Sequence, residues 1–397
     1  MASIYTAQDL AFRDELRTFF RTEVPAEIRE KISAGKPLLK QDYITSQRIL
    51  NAKGLAVPHW APEWGGQSWT PVQRYIFTEE LQRSAVPLPL QFNCYMIGPV
   101  LIAFGSEEQK RRFLPRAANL DDWWCQGFSE PDAGSDLASL KTRAVKTDAG
   151  YVVNGQKTWT TFAQYADWIF CLVRTDPDVK KQAGISMLLI DIKSPGVTVR
   201  PIVTIDGRHE VNEVFFEDVV VPFENLVGEE NKGWNYAKFL LANERSGIAR
   251  IGLSKERVDR VRRLAKVTPA GDGMLWDSES FRARVIALEL ELKALEYTQM
   301  GVLSRASGNG DGPDPASSIL KIKGSQLQQA AAELLMEVAG PEGLRAPMDV
   351  ADPYVEAGDL GGSALAVANY MNFRKVSIYG GSNEVQRNII AKTILRL

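Results

Sequence analysis

Two short stretches hold the residue types that could bind a planar, polar ligand and act beside it. Gly127-Phe128-Ser129-Glu130-Pro131-Asp132-Ala133-Gly134-Ser135-Asp136 packs glycines, hydroxyls and acids into a turn. Small residues with free N–H and O–H groups let a ring or a phosphate approach the backbone closely. Asn154-Gly155-Gln156-Lys157-Thr158-Trp159-Thr160-Thr161 ends in a tryptophan and two threonines, an aromatic wall with hydroxyls beside it. Each stretch also has an ordinary reading, the first as a polar surface loop and the second as a strand whose Trp packs in a core. Cys94, Cys125 and Cys171 have no metal or redox spacing and sit among apolar neighbours, as buried free thiols do. The two histidines, His59 and His209, stand apart, which argues against a His-based metal site or a Ser-His-Asp triad. Acid–base work then falls to carboxylates and redox work to a bound organic cofactor, with no metal expected.

The elements that must position these stretches fall into three regions. To about residue 118 the pattern is helical: Thr6 with Asp9 forms a capping-box signature, Phe12, Leu16, Phe19 and Phe20 follow at helical spacing, and Pro25 stops the run. From 119 to 232 β-rich runs take over at Tyr151–Val153, Ile185–Ile192, Val197–Ile202 and Val211–Val221. Asn154-Gly155 reads as the type I′ turn of a hairpin. From 233 the chain returns to long helices, with stripes at Val285, Leu288, Leu292, Leu295, Val302 and at Leu327, Ala331, Leu334, Leu335, Val338, the second closed by Gly340-Pro341. Ser307 to Pro313 reads as a loop. The expected fold is therefore α+β: an N-terminal α-helical domain (1–118), a middle small β-barrel or sandwich domain (119–232) and a C-terminal four-helix bundle (233–397). Trp123-Trp124, just ahead of the glycine-rich loop, is expected to pack between regions, an edge of the site being the other reading.

Both stretches, together with Ile378-Tyr379-Gly380-Gly381-Ser382-Asn383-Glu384-Val385-Gln386, closely resemble the signatures of the acyl-CoA dehydrogenase family, and the resemblance spans the whole chain. It implies FAD as cofactor and oxidation of an acyl-CoA thioester to the trans-2-enoyl-CoA, with electrons passed to an electron-transfer flavoprotein. By the same resemblance, Phe128 and Ser129 contact the flavin ring. Trp159 and Thr161 wall the ring and bond near its N5, which receives the hydride. Ser135 lies at the mouth of the site near the coenzyme A and cofactor phosphates, and Ser382 and Glu384 lie by the ribityl–pyrophosphate.

The reaction needs a carboxylate to take the weakly acidic α-proton while hydrogen bonds hold the developing enolate oxygen. Many family members place that Glu directly after the motif Tyr, where this chain has Gly380; others place it before an Arg on a helix of the C-terminal region. Glu244-Arg245 fits the second arrangement, which makes Glu244 the expected base and Arg245 a contributor to coenzyme A binding or to charge balance. A solvated helix carboxylate is the plain alternative for Glu244.

A second departure concerns assembly. In homomeric members a neighbouring subunit lends an Arg–Phe pair and a Gln to the far end of FAD. Pro269 to Trp276 lacks that pair, and Met336 to Gly343 lacks the Gln. The resemblance is then to large subunits of two-subunit dehydrogenases, such as those acting on pimeloyl-CoA or steroid side chains, with a related small subunit as partner; a homo-oligomer with a reshaped pocket competes. Other readings are an acyl-CoA oxidase or flavin monooxygenase on the same fold, or a degenerate partner subunit. The acyl group is expected to be of medium length or bulky. Lys plus Arg total 47 against 49 Asp plus Glu, a net charge of −2, which argues against nucleic acid as a partner. No apolar run of about 18 residues marks a membrane span, and the start lacks a secretory signal, so a cytoplasmic location is expected.

Overall fold

The computed structural model describes residues 5–244, 249–306, 316–343 and 365–397, with side chains described for all of these except 242–244, 306, 342 and 343. Helices α1 (Ala7–Thr22), α2 (Ala26–Ala34), α3 (Lys40–Ala52), α4 (Pro71–Arg83), α5 (Gly98–Phe104) and α6 (Glu107–Ala118) make the first region. The Thr6 hydroxyl accepts from Asp9 N–H at 3.1 Å, and the Asp9 carboxylate takes Thr6 N–H at 2.9 Å, so two otherwise unpaired donors of the first turn are satisfied. Arg17 reaches Glu80 with two bonds of 2.8 and 2.7 Å, tying α1 to α4. A π-type turn over Phe92–Ile97 leads into α5. There the Cys94 carbonyl meets both His59 Nε2 at 2.8 Å and the donating Trp60 Nε1 at 2.7 Å. The His59 ring stacks on Tyr95 at 4.3 Å, and burial pushes its pKa down to about 4.

Seven strands form one connected sheet: β1 (Trp124–Gly127), β2 (Arg143–Thr147), β3 (Gly150–Thr161), β4 (Trp168–Arg174), β5 (Ile185–Asp191), β6 (Val197–Val203) and β7 (His209–Val221). Their order is β1-β4-β2-β3-β7-β6, with β5 paired to β4. Strands β4 and β5 are apolar on both faces because each face meets a different core. Phe170, Leu172, Ile185, Met187 and Leu189 join the core of the N-terminal helices. Ile169, Cys171, Val173, Leu188 and Ile190 join the sheet's own core with Tyr151, Val153, Val214 and Phe216. A strand covered on both sides loses the alternation of a half-exposed one. Each fully buried aliphatic side chain of this kind contributes roughly 1.5–3 kcal/mol.

Asn154-Gly155 does not form the expected hairpin turn. The turn lies at Asp148-Ala149, and β3 runs straight through Asn154 and Gly155. The ladder to β7 skips there, from Val153↔Val219 to Gly155↔Phe216, and Asn154 exchanges two 2.9 Å bonds with Asp218. Gly155 has φ 148°. The glycine tolerance that suits a type I′ turn serves equally well in a β-bulge.

The tryptophan pair packs between regions. Trp123 meets Tyr43 of α3 at 5.7 Å and Phe162 at 5.7 Å, and Trp124 stacks on Trp168 at 5.6 Å while meeting Phe113 of α6 at 5.2 Å. The last region holds α7 (Gly233–Glu244), α8 (Ile251–Ala265), α9 (Glu279–Ala306), α10 (Ser317–Gly343), α11 (Ala366–Asn372) and α12 (Asn383–Ile390). The expected stripes on α9 and α10 are buried against α8. Gly340 takes φ 56°, ψ −152° and breaks the helical run just before Pro341. Helix α7 instead buries Tyr236, Ala237 and Leu240 in the N-terminal core. The architecture is thus helical, then sheet, then helical, as expected. The Ser307–Pro313 loop lies outside the described residues.

Candidate flavin site

The glycine-rich loop leaves β1 at Gly127, where a Cβ would stand 2.8 Å from Ile169 Cδ1, so a larger residue would have to displace the Ile169 side chain. Phe128 is buried edge-on against Phe170 at 5.9 Å. The Ser129 carbonyl accepts from Thr158 N–H at 2.9 Å, which binds the loop to β3. Glu130 and Ala133 exchange backbone bonds of 3.1 and 3.0 Å, closing a turn whose tip is Pro131-Asp132. Ser135 is exposed. Beneath the turn, the Glu130 carboxylate accepts from Lys141 N–H at 2.6 Å, Thr142 N–H at 3.0 Å and Lys157 Nζ at 2.7 Å. Lys157 Nζ also donates to the Phe128 carbonyl at 3.2 Å. Burial alone would raise the Glu130 carboxyl, but the Lys157 ammonium and the bonds from Lys157, Thr142 and Lys141 hold it below its usual range.

Trp159 stands on a second bulge of β3. The ladder passes from Lys157↔Val214 to Thr160↔Asn212, so Thr158 and Trp159 together face Glu213. Trp159 takes φ 59°, a left-handed conformation that is costly for any residue with a Cβ. Trp159 is 60% exposed, whereas Thr158 and Thr160 on either side are buried. A strained backbone thus turns a large aromatic out of the sheet. Thr161 follows, and Phe162, also left-handed at φ 59°, donates its N–H to the Glu210 carbonyl at 2.8 Å.

That strand end also moors the C-terminal motif. The Glu210 carboxylate accepts from Lys375 Nζ at 2.9 Å, and Asn372 donates to Asp206 at 2.8 Å and to Glu210 at 3.3 Å. Ser382 is the N-cap of α12, its hydroxyl accepting from Val385 N–H at 3.3 Å. Asn383 and Gln386 point inward, Asn383 Oδ1 accepting from Lys321 Nζ at 3.1 Å and Gln386 Oε1 from Ser318 at 2.8 Å. Glu384 is exposed; bonds from its own N–H and the Ser382 hydroxyl hold its carboxyl below the usual range. The glycines ahead of the cap have positive φ, 66° at Gly380 and 82° at Gly381.

The structure therefore brings Phe128, Ser129, Trp159 and Thr161 onto one loop-and-bulge assembly, with Ser135 on the exposed limb of the loop. Ser382 and Glu384 sit on α12, joined to that assembly through the segment held at Glu210. Glu244 ends α7, but its side chain and all of Arg245 lie outside the described residues. An uncovered indole one residue along β3 from Thr158, whose N–H binds the Ser129 carbonyl, and a Ser129 hydroxyl that bonds to no described residue suit a planar ring with polar edges.

Family models match almost end to end: the acyl-CoA dehydrogenase N-terminal domain over residues 6–121, the middle domain over 125–219 and the C-terminal domain over 231–395. The chain belongs to the acyl-CoA dehydrogenase family.

As a member of that family it is an oxidoreductase with FAD as its cofactor. It is 34% identical over 394 residues to acyl-CoA dehydrogenase IpdE1 of Mycobacterium tuberculosis, covering 97% of each chain. A crystal structure of the ChsE4–ChsE5 complex from Mycobacterium tuberculosis superposes with a TM-score of 0.83 at 35% identity, covering 100% of this chain and 99% of that one. A structure described as the Tcur3481–Tcur3483 steroid acyl-CoA dehydrogenase gives 0.84 at 26% identity, with 100% and 99% covered. Sequence reading alone passed over Glu130 and Lys157, although both lie within the two quoted stretches. No helix among the described residues is long and apolar enough to cross a membrane.

Proposed function

We propose that this acyl-CoA dehydrogenase removes the α-proton of an acyl-CoA thioester with Glu244, yielding the trans-2-enoyl-CoA. FAD, when bound, supplies the acceptor for the β-hydride and passes the electrons on to an electron-transfer flavoprotein. The observation that carries the reading is Trp159, whose exposed indole is held outward by a left-handed residue in a bulge. Such strain persists where the surroundings enforce it and is concentrated at functional sites. In this proposal Trp159 and Thr161 wall and orient the ring. Phe128 and Ser129 bond its polar edge, Ser382 and Glu384 lie by the ribityl–pyrophosphate, and Ser135 and Arg245 contact the coenzyme A moiety.

Glu244 is favoured as base because the alternative position is Gly380, where φ 66° suits glycine and supplies no carboxylate. Glu244 also closes α7, a helix packed into the N-terminal core through Tyr236, Ala237 and Leu240. We further propose a hetero-oligomer with a related small subunit and a bulky acyl group. The Arg–Phe and Gln positions absent from this sequence support that, as do structural relatives described as a two-component complex and a steroid enzyme. Glu244→Gln is the test: flavin content should stay at the wild-type level while enoyl-CoA formation falls at least a thousandfold. A variant that keeps substantial turnover would remove Glu244 from the role.

A further inference from the structure

We propose that the buried Glu130–Lys157 pair is the positioning device that fixes the two flavin-facing segments relative to each other. The inference rests on the reading of the site as a flavin site. Lys157 is fully buried and Glu130 is 6% exposed. Lysine is almost never buried without a partner, and taking both charges from water is costly before their attraction offsets it. An apolar pair of similar volume often holds a fold as well as a buried ion pair, but here it would leave the Lys141 and Thr142 N–H groups and the Phe128 carbonyl without these partners. What an apolar pair cannot do is gather separate chain segments by direction.

Three segments converge on one carboxylate. Lys141 and Thr142 donate from the approach to β2, and Lys157 donates from β3 at 2.7 Å. Glu130 belongs to the glycine-rich loop itself. Lys157 then reaches the Phe128 carbonyl at 3.2 Å, and Thr158 N–H holds the Ser129 carbonyl at 2.9 Å. Two consecutive peptide units of the loop, at the residues assigned to the ring's polar edge, are thus bonded to two consecutive residues of β3. The next residue of β3 is Trp159. The pair therefore sets the separation between the ring's polar edge and its aromatic wall, and its charges cancel beneath the site.

Three variants decide this, with co-expressed partner where the wild type needs one: Lys157→Met/Glu130→Gln, Lys157→Arg, and Lys157→Met alone. The readouts are the FAD dissociation constant of apoprotein, the circular dichroism of bound flavin and the thermal midpoint of the apoprotein. The neutral double variant offers one amide oxygen to the Lys141 and Thr142 N–H groups and no donor to the Phe128 carbonyl. It should therefore melt somewhat below the wild type, stay folded at the assay temperature, and bind FAD at least tenfold more weakly with an altered flavin spectrum. Lys157→Arg keeps the charge but not the reach, and should weaken FAD severalfold; it carries the test where the double variant does not fold. Lys157→Met alone should melt well below both, because it strands a buried carboxylate. A folded double variant, or a folded Lys157→Arg, with wild-type FAD affinity and spectrum overturns the proposal and leaves an ordinary structural ion pair. Failure of the wild-type protein to bind FAD would instead strike the flavin-site reading.

Discussion

Replacing Trp159 by glycine should leave a more stable apoprotein than replacing it by alanine, the reverse of ordinary behaviour in a strand. Both variants lose the same indole. With 60% of the residue exposed, the remaining two-fifths of about 250 Å² of ring surface is worth roughly 2.5 kcal/mol, and that loss is common to both. The difference between them isolates the backbone. A residue with a Cβ in the left-handed region costs about 1–2 kcal/mol, which glycine avoids. Glycine loses about 0.5–1 kcal/mol more chain entropy than alanine on entering a strand. The balance puts glycine ahead by about 0.5–1 kcal/mol, where a regular strand position would put it behind by a similar amount. Urea unfolding of the flavin-free proteins, followed by far-ultraviolet circular dichroism, measures this difference. FAD titration should show both variants equally impaired. Alanine matching or exceeding glycine would refute the argument that a left-handed backbone holds the indole outward.

Two further outcomes follow from the site and the fold. The His59 pKa is pushed down to about 4 by burial, so the folded state resists a proton that the unfolded chain takes up near 6.5. Stability is therefore whole above about pH 6.5 and falls as pH drops towards 4, by on the order of 3 kcal/mol at the lower limit; urea midpoints at pH 7.5 and 5 should show the fall, and His59→Gln should flatten it. If the second subunit completes the cofactor site, protein purified alone should carry well under one FAD per chain and co-expressed protein close to one. Full flavin content with turnover in the chain alone would show that no second subunit is needed.

Much of the fold is legible in local chemistry. Thr6 and Asp9 announce the start of α1, Gly340-Pro341 ends the helical run of α10, and the apolar runs after Ile185 and Val211 are strands, because each signal acts within a few residues. Asn154-Gly155 misleads for the same reason: a two-residue turn and this bulge both draw on glycine's freedom at positive φ, and only the pairing of β3 with β7 separates them. Trp159 could be placed in the site by resemblance, but its exposure depends on a register skip that no local pattern reports. Glu130 and Lys157 look like unremarkable charges in the sequence, since their burial is a product of β1, β3 and the loop meeting. The largely apolar character of β4 and β5, broken only by Ser186 within them, is visible, whereas its division between two cores is not.

The packing of α7 bears on how this chain can be recombined with its relatives. Tyr236 lies 4.5 Å from Phe104 of α5, and Gly228, ahead of α7, leaves no room for a Cβ beside the Tyr236 ring. A chimaera joined in front of α7 would set a foreign helix into a native cavity and mismatch Tyr236, Ala237 and Leu240 with the wall they fill. A junction between α7 and α8 would keep those contacts native and transfer the bundle helices that follow. The inheritable module is thus the first two regions plus one helix, and the residue proposed as base travels with them.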